Sequence, residues 1–126
     1  MILVDSSIYI GWMRQGLNPA RRVGEVLRAG ELCNCGVVRC EVLRGTIKTE
    51  VKAELETFFD LVPEIPMFAA LWRQVAELAW QLDRKGLVLP LPDLIIAACA
   101  QSAGAVVIST DEHFGRIPKL KWRREL

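Results

Sequence analysis

Residues 91–111 read LPDLIIAACAQSAGAVVISTD, and this stretch decides the fold. Leu91-Pro92-Asp93 opens a helix whose next seven residues, Leu94 to Ala100, are all apolar or small. A helix that is apolar all round is buried on every side. Gly104 ends it, Ala105 to Ile108 reads as a buried strand, and Asp111 stands just past that strand. The N-terminus repeats the arrangement. Ile2-Leu3-Val4 is a short branched run bounded by Asp5-Ser6-Ser7, with a helix over Ser7 to Met13.

Between these ends the helical patterns dominate. Asn18-Pro19 opens a helix with Val23, Val26 and Leu27 at helical spacing, ending near Gly30. Glu31 to Asn34 has the composition of a short strand. Val37 to Ile47 predicts a helix with Cys40, Leu43 and Ile47 on one stripe, and Glu50 to Phe59 predicts another. Pro63 and Pro66 break the chain around room for a short strand. Residues 68–85 are amphipathic, with Phe68, Leu71, Trp72, Val75, Leu78, Ala79 and Leu82 on one face and Trp80 off it. An edge strand is expected near Leu120 to Trp122. Helices that alternate with short, unalternating apolar strands imply α/β architecture, with a short, mainly parallel sheet flanked by helices on both faces. The 126 residues fit one domain, 1–126, and contain no internal repeat.

Composition excludes several classes. With 52% hydrophobic and 25% charged residues the chain is neither disordered nor collagen-like. Lys plus Arg is 16 and Asp plus Glu is 15, a net charge of +1, so any nucleic-acid affinity must come from local patches or metal ions. The N-terminus lacks a positive leader region and carries Asp5 at once, against a secretory signal. The apolar region 87–108 holds Pro90, Pro92 and Asp93, against a membrane span. A cytoplasmic protein with reduced, partly buried thiols is expected. Cys33, Cys35, Cys40 and the single histidine, His113, do not match a zinc spacing.

Asp5 and Asp111 each follow a strand, and ligands in open parallel sheets bind outside the carboxyl ends of the strands. Asp93 begins the buried helix, which is expected to present its N-terminus at the same rim. Glu41 lies within a helix beside Val37, Val38 and Gly45. Each aspartate also fits a helix N-cap, and Glu41 alone also fits a helix flank. Gathered together, the acids repel one another and favour protons, a cost that a divalent cation removes. Oxygen-only ligands suit Mg²⁺ or Mn²⁺.

At these residues the chain resembles the PIN-domain ribonucleases, most closely the VapC-type toxins of toxin–antitoxin pairs, over nearly its whole length. ILVDSSIYI resembles the family's first strand and acid, CEVLRG its helical glutamate, LPDLIIAACA its third-acid helix, and VVISTDEHFGRIP its fourth-acid strand and loop. The resemblance implies a PIN-like fold in which Asp5, Glu41, Asp93 and Asp111 hold one or two Mg²⁺ or Mn²⁺ ions, with Asp5 and Asp93 the principal ligands. It implies that Ser6 and Thr110 hydrogen-bond the carboxylates or a metal-bound water. It further implies an RNA substrate, a homodimer and a cognate antitoxin whose tail blocks the acidic site. The chain departs from some relatives where a further acid would stand two residues after Asp111. His113 occupies that place.

Metal-activated water needs no histidine, so His113 is expected to be a polar loop residue. Arg14, Arg44 and Lys48 lie near the acidic segments in sequence. Lys121 and Arg123, with Lys119, Arg124 and Trp122, pair cations with an aromatic platform for RNA, although a solvated edge strand has the same composition. Two rival readings are weighed. A haloacid-dehalogenase-like phosphotransferase would carry Asp-x-Asp where this chain has Asp5-Ser6-Ser7. A non-catalytic PIN-like module would bind RNA or protein without cutting, and retention of all four acids argues against it.

Overall fold

Four short runs pair side by side in a computed structural model that describes residues 1–126. β1 is Ile2–Val4, β2 is Leu32–Cys33, β3 is Val106–Ile108 and β4 is Lys121–Arg123. All pairs are parallel and the order is β2-β1-β3-β4. Neighbouring residues of a strand face opposite sides of a sheet. Leu3 and Val4, Leu32 and Cys33, and Val107 and Ile108 are all buried, so helices cover both faces. The fold is the α/β architecture, a short parallel sheet flanked by helices on both faces, that the strand and helix patterns implied.

Seven α-helices connect the strands: α1 Ser6–Arg14, α2 Pro19–Arg22, α3 Gly24–Arg28, α4 Gly36–Arg44, α5 Thr49–Leu61, α6 Ala69–Arg84 and α7 Leu91–Ala103. From β1 the chain steps to β2 on one side, then returns to place β3 on the other side of β1. The strand order therefore reverses between β1 and β3, and a crevice opens at their carboxyl ends. α7 buries Leu94 to Ala100 without interruption and ends at Gly104, whose φ of 63° favours glycine. Ile96 within it is 0% exposed, and its truncation to alanine would cost about 2–5 kcal/mol. α6 packs Leu71, Val75 and Leu82 inward. Tyr9 of α1 is wholly buried in edge-on contact with Trp12, Phe58 and Phe59.

The structure corrects four local expectations. The helix opened by Asn18 divides into α2 and α3, because Val23 leaves helical geometry with ψ at 5°. The helix expected to reach Ile47 ends at Arg44. The Thr46 hydroxyl donates to the Leu43 carbonyl, and Ile47 is 99% exposed. The buried residues of α4 are Val38 and Val42, while Cys40 is exposed. The segment between Pro63 and Pro66 forms only an isolated bridge, Glu64 to Asn34, rather than a strand. On α6, Phe68 and Trp72 are exposed with Trp80, because only the Leu71, Val75 and Leu82 side meets the core. No helix is long and apolar enough to cross a membrane.

Candidate metal-binding active site

Asp5 follows β1 directly, in the crevice where the strand order reverses. It stands at the N-cap of α1, yet its side chain makes no capping bond. The carboxylate is met by hydroxyls instead. Ser7 Oγ at 2.7 Å and Ser109 Oγ at 2.8 Å both donate to Asp5 Oδ2. Ser6 Oγ lies 3.4 Å from Asp5 Oδ1 and 3.2 Å from Glu41 Oε1. A hydroxyl has one proton, so Ser6 serves one acid at a time and ties α4 to the end of β1. With these donors in place Asp5 is tolerated at 5% exposure.

Asp93 is held differently. It lies inside the first turn of α7, past the N-cap Pro90, and its carboxylate accepts no cap bond. Its carboxyl is pushed up to about 6, first by partial burial and then by the negative charges of Asp5, Asp111 and Glu41, with His113 acting in the opposite sense. Segments far apart in sequence thus bring the four acids into one electrostatic neighbourhood. Asp111 caps the 3-10 turn Glu112–Arg116. Its Oδ1 accepts from the His113 backbone N–H at 2.9 Å and meets His113 Nδ1 at 2.8 Å, leaving Oδ2 for another partner. For Asp111 the cap and the rim are therefore compatible, whereas Asp5 and Asp93 cap nothing.

The donor set is oxygen throughout and carries net negative charge, which is what a hard divalent cation needs. As the side chains stand, no group of three or more His, Cys, Asp or Glu is arranged to hold an ion. The residue types and their mutual repulsion fit such a cation, and the carboxylates would draw together around it.

Of the two hydroxyls expected to support the acids, Ser6 does so. Thr110 is exposed and makes no bond to a carboxylate. The reason is register: Val4 pairs with Ile108, so residue 109 falls beside Asp5 and residue 110 has already turned outward. Ser109 also accepts from the Asp111 backbone N–H at 3.0 Å. Sequence reasoning missed Ser7 and Ser109. Counting one residue past each strand end, in ILVDSS and VVISTD, would have found Ser109.

The basic residues expected to meet RNA are dispersed. Arg14 ends α1 and lies about 12 Å along that helix from Ser6. Arg44 ends α4 and Lys48 precedes α5, and all three side chains are exposed. Arg123 is level with Ile108, at the acidic end of the sheet. Lys121 is level with Val106, at the opposite end, because a parallel partner carries its first residue to the strand start. Trp122 between them is pinned, its indole N–H donating to the Ser109 carbonyl at 3.1 Å. Gly115 lies against this ring, where a Cβ would come within 3.2 Å.

Comparison with known proteins agrees with this architecture. The family profile described as PIN domain matches residues 2–120. Among solved structures, the chain is similar to VapBC2 from Rickettsia felis bound to a promoter DNA fragment, with TM-score 0.80, 24% identity and 98% of each chain covered. It is similar to VapBC-1 from nontypeable Haemophilus influenzae, with TM-score 0.75, 24% identity, and 98% of this chain and 97% of that chain covered. It is similar to DNA-bound VapBC from Salmonella typhimurium, with TM-score 0.80, 22% identity and 98% of each chain covered. No curated protein matches the chain at a significant level.

Proposed function

The chain belongs to the PIN domain family, and from that premise we propose that it is a metal-dependent endoribonuclease, the toxin of a toxin–antitoxin pair. The observation that carries the reading is the crevice beside β1. There Asp5 is buried among hydroxyls, with Glu41 joined to it through Ser6 and the Asp93 carboxyl raised by partial burial and then by the charges around it. A structural role would turn Asp5 into a helix cap, and it caps nothing.

Asp5 and Asp93 would be the principal ligands of Mg²⁺ or Mn²⁺, with Glu41 and Asp111 completing the shell or orienting water. Such an ion lowers the pKa of a bound water and offsets negative charge developing on a phosphodiester. Ser7 and Ser109 fix Asp5 in one rotamer, Ser6 sets the spacing of Asp5 and Glu41, and Ser109 orients the turn that carries Asp111. These contacts hold oxygen ligands on strand ends and a buried helix, where little reorganisation is needed. His113 faces Asp111 Oδ1 and holds that carboxylate rather than moving a proton of the substrate.

The test is incubation of the purified chain with structured and single-stranded RNA in Mg²⁺ or Mn²⁺. Cleavage that EDTA abolishes and Asp93→Asn eliminates supports the reading. The absence of any pre-formed cluster of three ligands favours one alternative, a PIN-like module that binds RNA or protein without cutting it. No heat of metal binding, together with intact RNA, would establish that alternative.

Solved structures similar to this chain include a toxin–antitoxin complex from Klebsiella pneumoniae, with TM-score 0.68, 22% identity and 100% of each chain covered. We propose that this chain, too, acts with a cognate antitoxin, in the cytoplasm and as a homodimer. The exposed Phe68, Trp72 and Trp80 of α6 give a second chain an apolar surface to cover. Light scattering that finds only monomer at high concentration removes the dimer.

A further inference from the structure

A groove of about 490 Å³ runs from the acidic crevice along α1. Ser7, the donor to Asp5, and Thr110, the neighbour of Asp111, form its mouth. Ile8 and Ile108 line it, Trp12 and Arg22 close one side, and the C-terminal tail closes the other with Arg124, Glu125 and Leu126. We propose that this groove is a nucleotide subsite, which takes the base and phosphate next to the scissile position of a single-stranded RNA. The proposal rests on the nuclease reading above and names the residues by which that site recognises its substrate.

A rim of four carboxylates repels a polyanion, and a strand can lie across it only if cations beside the rim hold the flanking phosphates. Arg22 is exposed and forms no ion pair, and its guanidinium sits over the Trp12 ring at 5.4 Å from the centroid. That contact holds the guanidinium beside the ring and leaves its N–H groups for phosphate oxygens. A base can stack on the outer side of such a guanidinium, as bases stack on arginine planes. Tyr9 meets Trp12 edge-on and braces the ring from the core side. Across the groove Arg124 is paired with Glu112 and lies 5.9 Å from the Trp122 ring centroid, so its charge is also held in place. Arg124 is paired and Glu125 beside it is acidic, so Arg22 is the cation of the groove left free for a phosphate.

The experiment measures anisotropy of a labelled single-stranded octaribonucleotide in an Asp93→Asn background, where cleavage is lost. Arg22→Ala is expected to weaken binding about 3- to 10-fold and to reduce the salt slope by about 0.7. Arg22→Lys should keep the salt slope while losing part of the affinity, because it retains charge without the stacked plane. Arg73→Ala, an exposed arginine on α6 outside the groove, should change neither. Unchanged binding in Arg22→Ala, or an equal loss in Arg73→Ala, overturns the proposal. An equal loss for labelled octaglutamate makes the groove a peptide or general anion surface and also overturns it. Separately, an Arg22 effect on binding with no metal-dependent cleavage by the wild-type chain would mean that the nuclease reading has failed and the subsite has not.

Discussion

Asp5 stands at the end of β1 with three hydroxyls around its carboxylate, whereas Asp93 stands in the first turn of α7 with no hydrogen bond to its side chain. The first acid is the more deeply buried, and hydroxyls meet it; the second is half-buried, and its pKa is raised by burial and by the charges around it. What surrounds a buried carboxylate matters as much as how deeply it lies. Donors from Ser7 and Ser109 replace the water that Asp5 lost, and nothing in the chain replaces the water lost by Asp93. On the proposed reading the two acids would divide the work of a cation site: one ligand held in place, the other carrying a charge that a bound ion can neutralise.

The comparison breaks most sharply on activity. Asp5→Asn and Asp93→Asn should each reduce metal-dependent RNA cleavage by more than about a hundredfold, since even partners of ligands cost 10–100-fold. Retention of full cleavage by either variant removes that residue from the site. Ser109→Ala should fall next, with a loss of about 10–100-fold, because it frees Asp5 and the Asp111 turn together. Thr110→Ala should stay within about twofold of wild type, as its neighbour does the bonding.

Added Mn²⁺ should raise the melting temperature of the wild-type chain, by about 2.7 kcal/mol of stability at a hundredfold excess over Kd, and should have no such effect on Asp93→Ala. Without metal the sign reverses for Asp93. Its carboxyl titrates at about 6 when folded and at 3.8 as a free group, so the folded chain takes up a proton more readily between these values. The charge therefore costs stability above about pH 6, and the cost fades as the pH falls toward 4. Asp93→Asn in EDTA should stabilise the chain by on the order of 1 kcal/mol at pH 8, discounted for partial exposure, and by nothing near pH 3.5. Denaturant melts at the two pH values measure this. Smallest of all, Tyr9→Phe should change stability by less than about 1 kcal/mol, because the buried Tyr9 hydroxyl has no partner to lose.

The sheet was legible because three of its four strands are apolar on both faces, and so was α7, where seven successive small or apolar residues admit one reading. The acids were legible as a set from the strand ends and the helix start. Ser109 rather than Thr110 bonds the Asp5 carboxylate, because the choice between two adjacent hydroxyls depends on where β3 ends relative to β1, a matter of pairing that a single strand does not encode. Ile47 and Cys40 misled because their spacing fits a helix stripe, while the helix ends at Arg44 and turns Val38 and Val42 inward. Lys121 and Arg123 looked alike as cations on one strand, and only the parallel register sends them to opposite ends of the sheet. Arg22 and Trp12 gave no signal, since α2 and α1 meet through a turn whose geometry their spacing does not reveal.

The bond from Ser109 to Asp5 spans 104 positions, joining one end of the chain to the other. Until the segment bearing Ser109 and Asp111 has left the ribosome, Asp5 lacks one of its hydroxyl donors and the acidic set lacks a member. On the nuclease reading, the acidic set is assembled only when the two ends of the fold have met.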